Sequence, residues 1–138
     1  MTHLLNNGRS GVKKGIILLS DGAANEPDPE RNPCRYAIDM ANKAKGAGIE
    51  IFTIGFGVQG DTCQRDSGVY AGATVTRVLA GMASNSVDNC FGVNPDAENT
   101  DGDHFFCEPK DGDLSDIFLQ AAAQFVQGSK LVQLPPGG

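Results

Sequence analysis

The sequence has no tryptophan and only two histidines in 138 residues, and both gaps narrow what it can do. His3 stands near the start and His104 beside an apolar pair, so no Ser-His-Asp or Cys-His constellation forms around either; for His104 a satisfied structural role is expected. No apolar run approaches the roughly 18 residues of a membrane-spanning helix. The opening MTHLLNNGRSGVKK has no apolar core behind a basic start, so no secretion signal is visible. Basic residues are few and scattered: 11 Lys and Arg against 17 Asp and Glu give a net charge of -6 and a pI near 4.7. There is no stripe to neutralise phosphates, and nucleic acid is not an expected partner.

What is present is the composition of one ordinary globular domain, 40% hydrophobic and 20% charged. Four cysteines, Cys34, Cys63, Cys90 and Cys107, are spaced 29, 27 and 17 apart. No C-x-x-C pair suits zinc or redox chemistry. An even number of separated cysteines fits two disulfides in any of three connectivities, against four unconnected thiols in a reducing compartment.

Gly15 to Ser20 (GIILLS) is a short apolar run closed by Asp21-Gly22, which predicts a strand buried on both faces. Glu50 to Gly57 (EIFTIGFG) repeats the pattern. Between them Asn32 and Pro33 supply a cap and a first-turn proline, Tyr36, Ala37, Met40, Ala41 and Ala44 recur at helical spacing, and Gly46-Ala47-Gly48 ends the helix. Strand, helix and strand in this span make a right-handed βαβ unit with parallel strands. Ala71 to Ala83 is expected to be helical, His104 to Cys107 a short strand, and Leu114 to Val126 an amphipathic helix capped by Asp111 or Asp113. His3 to Asn7 reads as the end of a helix, and the tail SKLVQLPPGG as a few extended residues.

A strand ending in S-D-G, a polar loop, a helix of small residues and then GIEIFTIGFG resembles the C-terminal half of a von Willebrand factor type A domain. The order continues with LAGMAS, HFF, an acidic turn and DLSDIF. NPCRYAIDMANKAKGAGIEIFTIGFG with ENTDGDHFFCEPKDGDLSDIF is most similar to the A-type domains of bacterial tight-adherence (Tad/Flp) pilus assembly proteins and related envelope proteins. The resemblance covers residues 1–134, leaving 135–138 as a tail. It implies a partial doubly wound, Rossmann-like α/β fold with three parallel strands and flanking helices, its N-terminal strands missing, and ligands at the C-terminal ends of the strands.

In that family a metal-ion-dependent adhesion site joins a D-x-S-x-S loop, a threonine and an aspartate after the fourth strand. Asp21 matches the last of these. Mg2+ or another divalent cation bound there leaves a coordination position for a carboxylate of a partner protein. No D-x-S-x-S occurs in this sequence; Asp66-Ser67-Gly68 and Asp113-Leu114-Ser115-Asp116 do not match. The resemblance therefore implies that both other ligand loops lie upstream of Met1 and that this chain alone does not hold the ion. It also implies an extracytoplasmic setting, with anchor or signal upstream, and so disulfides: Cys34 with Cys63 at the C-terminal edge, and Cys90 with Cys107 flanking the acidic excursion.

Other chemistries rank lower. Asp96, Glu98, Asn99, Asp101 and Asp103 crowd NPDAENTDGDH, but Thr100 at the fifth position and Cys107 at the twelfth break the calcium-loop pattern, so a solvated acidic turn is expected. Asp21 as a phosphohydrolase nucleophile lacks a second aspartate, since Ala23 stands two residues on. Gly55, Gly57 and Gly60 follow a strand without a phosphate-binding pattern and read as turn residues. The expectation is thus a non-enzymatic protein-binding module; the alternatives are a structural fragment with no binding of its own and, remotely, a phosphate-handling enzyme. Lacking its neighbouring strand, Gly15 to Ser20 would be an open edge inviting a second copy.

Overall fold

The computed structural model describes residues 11–24, 32–88, 90, 95–109 and 112–128. Three strands, β1 (Lys14–Ser20), β2 (Ile49–Gly55) and β3 (Phe105–Cys107), form one parallel sheet in that order. Lys14 pairs with Ile49 and Ser20 with Gly55, and Thr53 pairs with Phe105, so all three C-termini open on the same edge.

β2 is central because IEIFTIG can be buried on both faces: all of it is buried except Glu50. Ile49 and Ile51 pack with Ala41 and Ala44 of helix α1 (Pro33–Gly46). On that same face, Thr53 donates its hydroxyl to the Leu79 carbonyl of helix α2 (Val75–Met82) at 2.8 Å. Phe52 and Ile54 turn to the opposite face, where Phe106, Ile117 and Ala121 complete a second core. Ile117 and Ala121 belong to helix α4 (Leu114–Gly128). A short helix α3 (Pro95–Glu98), which periodicity did not signal, precedes β3. The result is a helix layer on each face of the sheet, as the βαβ order requires.

Two expectations are corrected in detail. The strand predicted as buried on both faces is only half-buried, with Leu19 48% exposed. It pairs on one side alone, so half of its surface lacks cover among the described residues. The helix expected from Ala71 begins at Val75 instead. Gly68–Tyr70 forms a 3-10 turn, Thr62 and Thr74 make an antiparallel bridge, and the Thr74 hydroxyl caps the new start by accepting from the Arg77 N–H. A side chain able to accept from the third residue on fixes a helix start more firmly than the preceding glycine and alanine can. The expected helix at His3 to Asn7, the tail and the cap candidate Asp111 lie outside the described residues. Asp113 does open α4, its carbonyl accepting from the Ile117 N–H at 2.9 Å.

Cys34 is bonded to Cys63 and Cys90 to Cys107, with Cα separations of 6.2 and 6.1 Å. The first ties the start of α1 to the loop after β2, and the second clamps the end of β3. Two disulfides fit an extracellular location. Among the described residues no helix is long and apolar enough to cross a membrane.

Candidate functional site

β1 delivers Ser20, Asp21 and Gly22 to the C-terminal edge of the sheet. The Ser20 hydroxyl donates to the Gly22 carbonyl at 2.9 Å and so folds the chain back sharply. The Ser20 carbonyl accepts from the Phe56 N–H at 2.9 Å, which locks this turn to the loop after β2. Asp21 projects exposed from the turn into a cavity of about 770 Å³. Leu18, Val75, Val78, Leu79 and Met82 line its apolar part, while Asp21, Asp61, Thr62 and Arg65 supply the polar groups.

The far wall is the segment from Phe56 to Ser67, and three anchors hold it. The first is Glu108, whose carboxylate accepts from three successive backbone N–H groups: Gly57 at 2.9 Å, Val58 at 2.6 Å and Gln59 at 2.7 Å. Converging amides of this kind form a nest that favours an anion. Gly57 takes φ +68 to make it, and Glu108 is itself held at φ +43, the one positive φ at a non-glycine residue among those described. The second anchor is the Cys34–Cys63 disulfide. The third is Asp66, buried at 8% exposure, whose two oxygens accept from the Cys34 and Arg35 N–H groups at 3.0 and 2.9 Å. These are orphan donors of the first turn of α1, so Asp66 caps that helix from more than thirty positions away.

Asn32 stands at the cap position of α1 and its carbonyl accepts from the Tyr36 N–H at 2.9 Å, but its side chain does not cap the helix; that oxygen accepts from the Ser67 N–H and hydroxyl instead. Gly60 and Asp61 are thereby placed across the cavity from Asp21. Asp61, Asp66 and Glu108 were not legible as site residues. The partners of Asp66 and Glu108 are contributed by distant backbone, and no local motif marks any of the three.

The remaining candidates sit elsewhere. His104 lies at the N-terminal end of the sheet, away from Asp21. It stacks on Phe52 at 4.1 Å between centroids, and its Nε2 is 2.6 Å from Glu50 Oε1. Lys13 joins the other Glu50 oxygen at 2.5 Å. Burial alone would raise the Glu50 pKa, but hydrogen bonds from His104 and Lys13 outweigh it and the carboxyl is held below its ordinary value. His3 lies outside the described residues. Gly55, Gly57 and Gly60 are turn or close-packing residues: a Cβ at Gly55 would stand 2.7 Å from Val58 Cγ2.

The acidic loop is in part the solvated turn expected, with Thr100, Asp101 and Gly102 exposed and the Cys90–Cys107 disulfide pinning it, but not all of its acidic residues are solvated. Glu98 is 1% exposed, and burial raises the Asp103 pKa despite hydrogen bonds from the Phe105 and Val87 N–H groups. Asn99 bonds both the N–H and the carbonyl of Cys107, at 2.8 and 3.0 Å, drawing the loop against β3. The side chain of Asp96 is outside the described set.

Two sets of three ligand-type side chains approach within 4.8 Å among the described residues: Cys34, Cys63 and Asp66, and Glu98, Asp101 and Asp103. Neither includes Asp21. The sulfurs of the first set are consumed in a disulfide, and in the second Asp101 and Asp103 already accept loop N–H groups. At the Asp21 edge the described side chains offer two exposed carboxylates, Asp21 and Asp61. Two carboxylates do not offset the dehydration of a small hard cation, so these residues alone do not fit a tight Mg2+ site.

In comparison with known proteins, a family model described as von Willebrand factor type A domain matches residues 2–104. No curated protein and no solved structure matches the chain.

Proposed function

Because the chain belongs to the von Willebrand factor type A domain family, a family of protein-interaction modules that commonly bind a divalent metal, we propose that it acts without enzymatic activity, as an adhesion-type module that engages a partner protein at the C-terminal edge of its sheet. The observation that carries this is Asp21, exposed at the mouth of a cavity of about 770 Å³ whose rim is fixed by a disulfide and by the Glu108 and Asp66 anchors. Parallel sheets bind ligands at this edge, where loops from neighbouring strands converge. In this reading Asp21 is one corner of an incomplete divalent-cation site. A partner carboxylate is the group such an ion would attract, and Mg2+ is the ion the oxygen donors suit.

The setting we assign is extracytoplasmic, in a bacterial envelope or pilus-assembly protein of the tight-adherence type. Its support is the paired cysteines and the run of sequence words from Asn32 to Gly57 and from Glu98 to Phe118. The test is calorimetric titration of Mg2+ into the chain and into Asp21→Ala. The expected result is a response no tighter than about millimolar, lost in the variant. Saturable binding that survives Asp21→Ala would overturn Asp21 as the ligand.

A further inference from the structure

We propose that Asp21–Gly22 is a site of spontaneous covalent modification, at which the turn closes to a cyclic imide and reopens as isoaspartate. The inference goes beyond the metal-site reading and does not depend on it.

The reaction needs a carboxyl group that nothing holds, a following backbone nitrogen that nothing shields, and a turn able to bring the two together. Asp21 is exposed, and among the described residues no hydrogen bond or ion pair reaches its carboxylate. The Gly22 N–H has no backbone acceptor among those residues and only a long contact, 3.5 Å, to the Ser20 hydroxyl. A Cβ at Gly22 would meet nothing within 4 Å, so the approach to its nitrogen is open. Glycine also leaves the chain free to rotate into the reactive geometry. The flanks of the segment are fixed: the Ser20 carbonyl accepts from Phe56 at 2.9 Å, and Ala23 and Ala24 pack against the core.

The Gly22 nitrogen attacks Cγ of Asp21. A C–N bond forms, and one carboxyl oxygen leaves as water, taking the amide hydrogen and a proton from solvent. Water then adds to either carbonyl of the imide. Opening at the new C–N bond restores aspartate, whereas opening at the original peptide bond leaves the main chain running through Cβ and Cγ, as isoaspartate. The main chain then carries one more carbon between two fixed flanks, and the reach of the carboxylate shortens by one carbon. The charge is thereby withdrawn from the cavity rim. Asp101–Gly102 has the same two residues and is the internal comparison. There the Asp101 carboxylate accepts from the Asp103 N–H at 2.9 Å, and Gly102 is held at φ +85. Asp101 must give up that bond before it reacts, and Asp21 has none to give up.

Peptide mapping of the full 138-residue chain tests this, after incubation folded at neutral pH and again in urea, with fragmentation that distinguishes isoaspartate from aspartate. In the folded chain Asp21 should convert about tenfold faster than Asp101, the population cost of releasing one charge-assisted hydrogen bond. In urea, where both are bare Asp-Gly pairs, the two rates should converge. Gly22→Ala sets a methyl group beside the nitrogen at a position with room for it. It should slow conversion at Asp21 and leave that at Asp101 unchanged, with an unaltered circular dichroism spectrum. No isoaspartate at Asp21, conversion at Asp101 as fast as at Asp21 in the folded chain, a rate difference that persists in urea, or an undiminished rate in Gly22→Ala would each overturn the proposal.

Discussion

Replacing Glu108 separates two forces that act on one residue. Its carboxylate takes three N–H groups at 2.6 to 2.9 Å while its backbone is held at φ +43. A hydrogen bond to a charged group contributes roughly 1.5–3 kcal/mol, but an N–H that can turn to water gives up little of that when its partner is removed. Gly57 and Gln59 are exposed, whereas the Val58 side chain is fully buried, so most of the loss falls on the Val58 amide. Glu108→Ala is expected to destabilise by about 3 kcal/mol, combining one orphaned amide with partial loss of the other two. Glu108→Gly loses the same bonds but relieves a left-handed conformation that costs a side chain roughly 1 kcal/mol, and is expected to destabilise by about 2. At roughly 3–4 °C per kcal/mol for a domain of this size, thermal melts should fall by about 10 °C for alanine and about 7 °C for glycine. Melting both variants beside the parent decides the matter. An alanine variant as stable as the parent, or a glycine variant less stable than alanine, would refute the nest as the anchor of the cavity wall.

The same reasoning extends to the other anchors. Asp66→Ala strips two N–H partners from the first turn of α1 at a buried site and should cost about 2 kcal/mol in denaturant unfolding, with Asp66→Asn in between. Replacing Cys34 and Cys63 together by alanine opens a loop with a separation of 29 residues and should cost between about 3 and 4 kcal/mol in the chain-entropy description. Glu50 has a folded pKa below its ordinary value near 4.5, so its contribution is present above that value and is lost as pH falls through the folded pKa. Urea midpoints measured from neutral pH into the acid range should therefore decline less steeply for Glu50→Gln than for the parent.

Much of the fold was legible because its signals are local. GIILLS and EIFTIGFG are apolar runs closed by glycine, and Asn32-Pro33 and Gly46-Ala47-Gly48 bracket α1 closely. The place of Asp21 was legible for a similar reason: a strand followed by Asp-Gly puts a carboxylate at the sheet edge by topology alone, whereas its role as a ligand is implied by the resemblance. The rest depends on distant pairing. Asp66 caps a helix it does not precede, Glu108 fills a nest made by residues 57–59, and the acidic loop is drawn inward by Asn99 bonding to β3. The half-exposure of β1 escaped the hydrophobic pattern because its apolar run is that of a central strand, while among the described residues only one side of it is paired.

The central claim is that Asp21 and the facing cavity rim form the cation- and partner-facing edge of this chain, and paramagnetic broadening by Mn2+ tests it most directly. Mn2+ takes oxygen ligands as Mg2+ does, and it bleaches amide resonances near wherever it binds. Added in small amounts to the isotopically labelled chain, it should bleach Ser20 to Ala24 and Gly60 to Thr62 first, and Asp21→Ala should abolish the effect there. Broadening centred on Glu98 to Asp103, with the Asp21 loop untouched, would contradict the account.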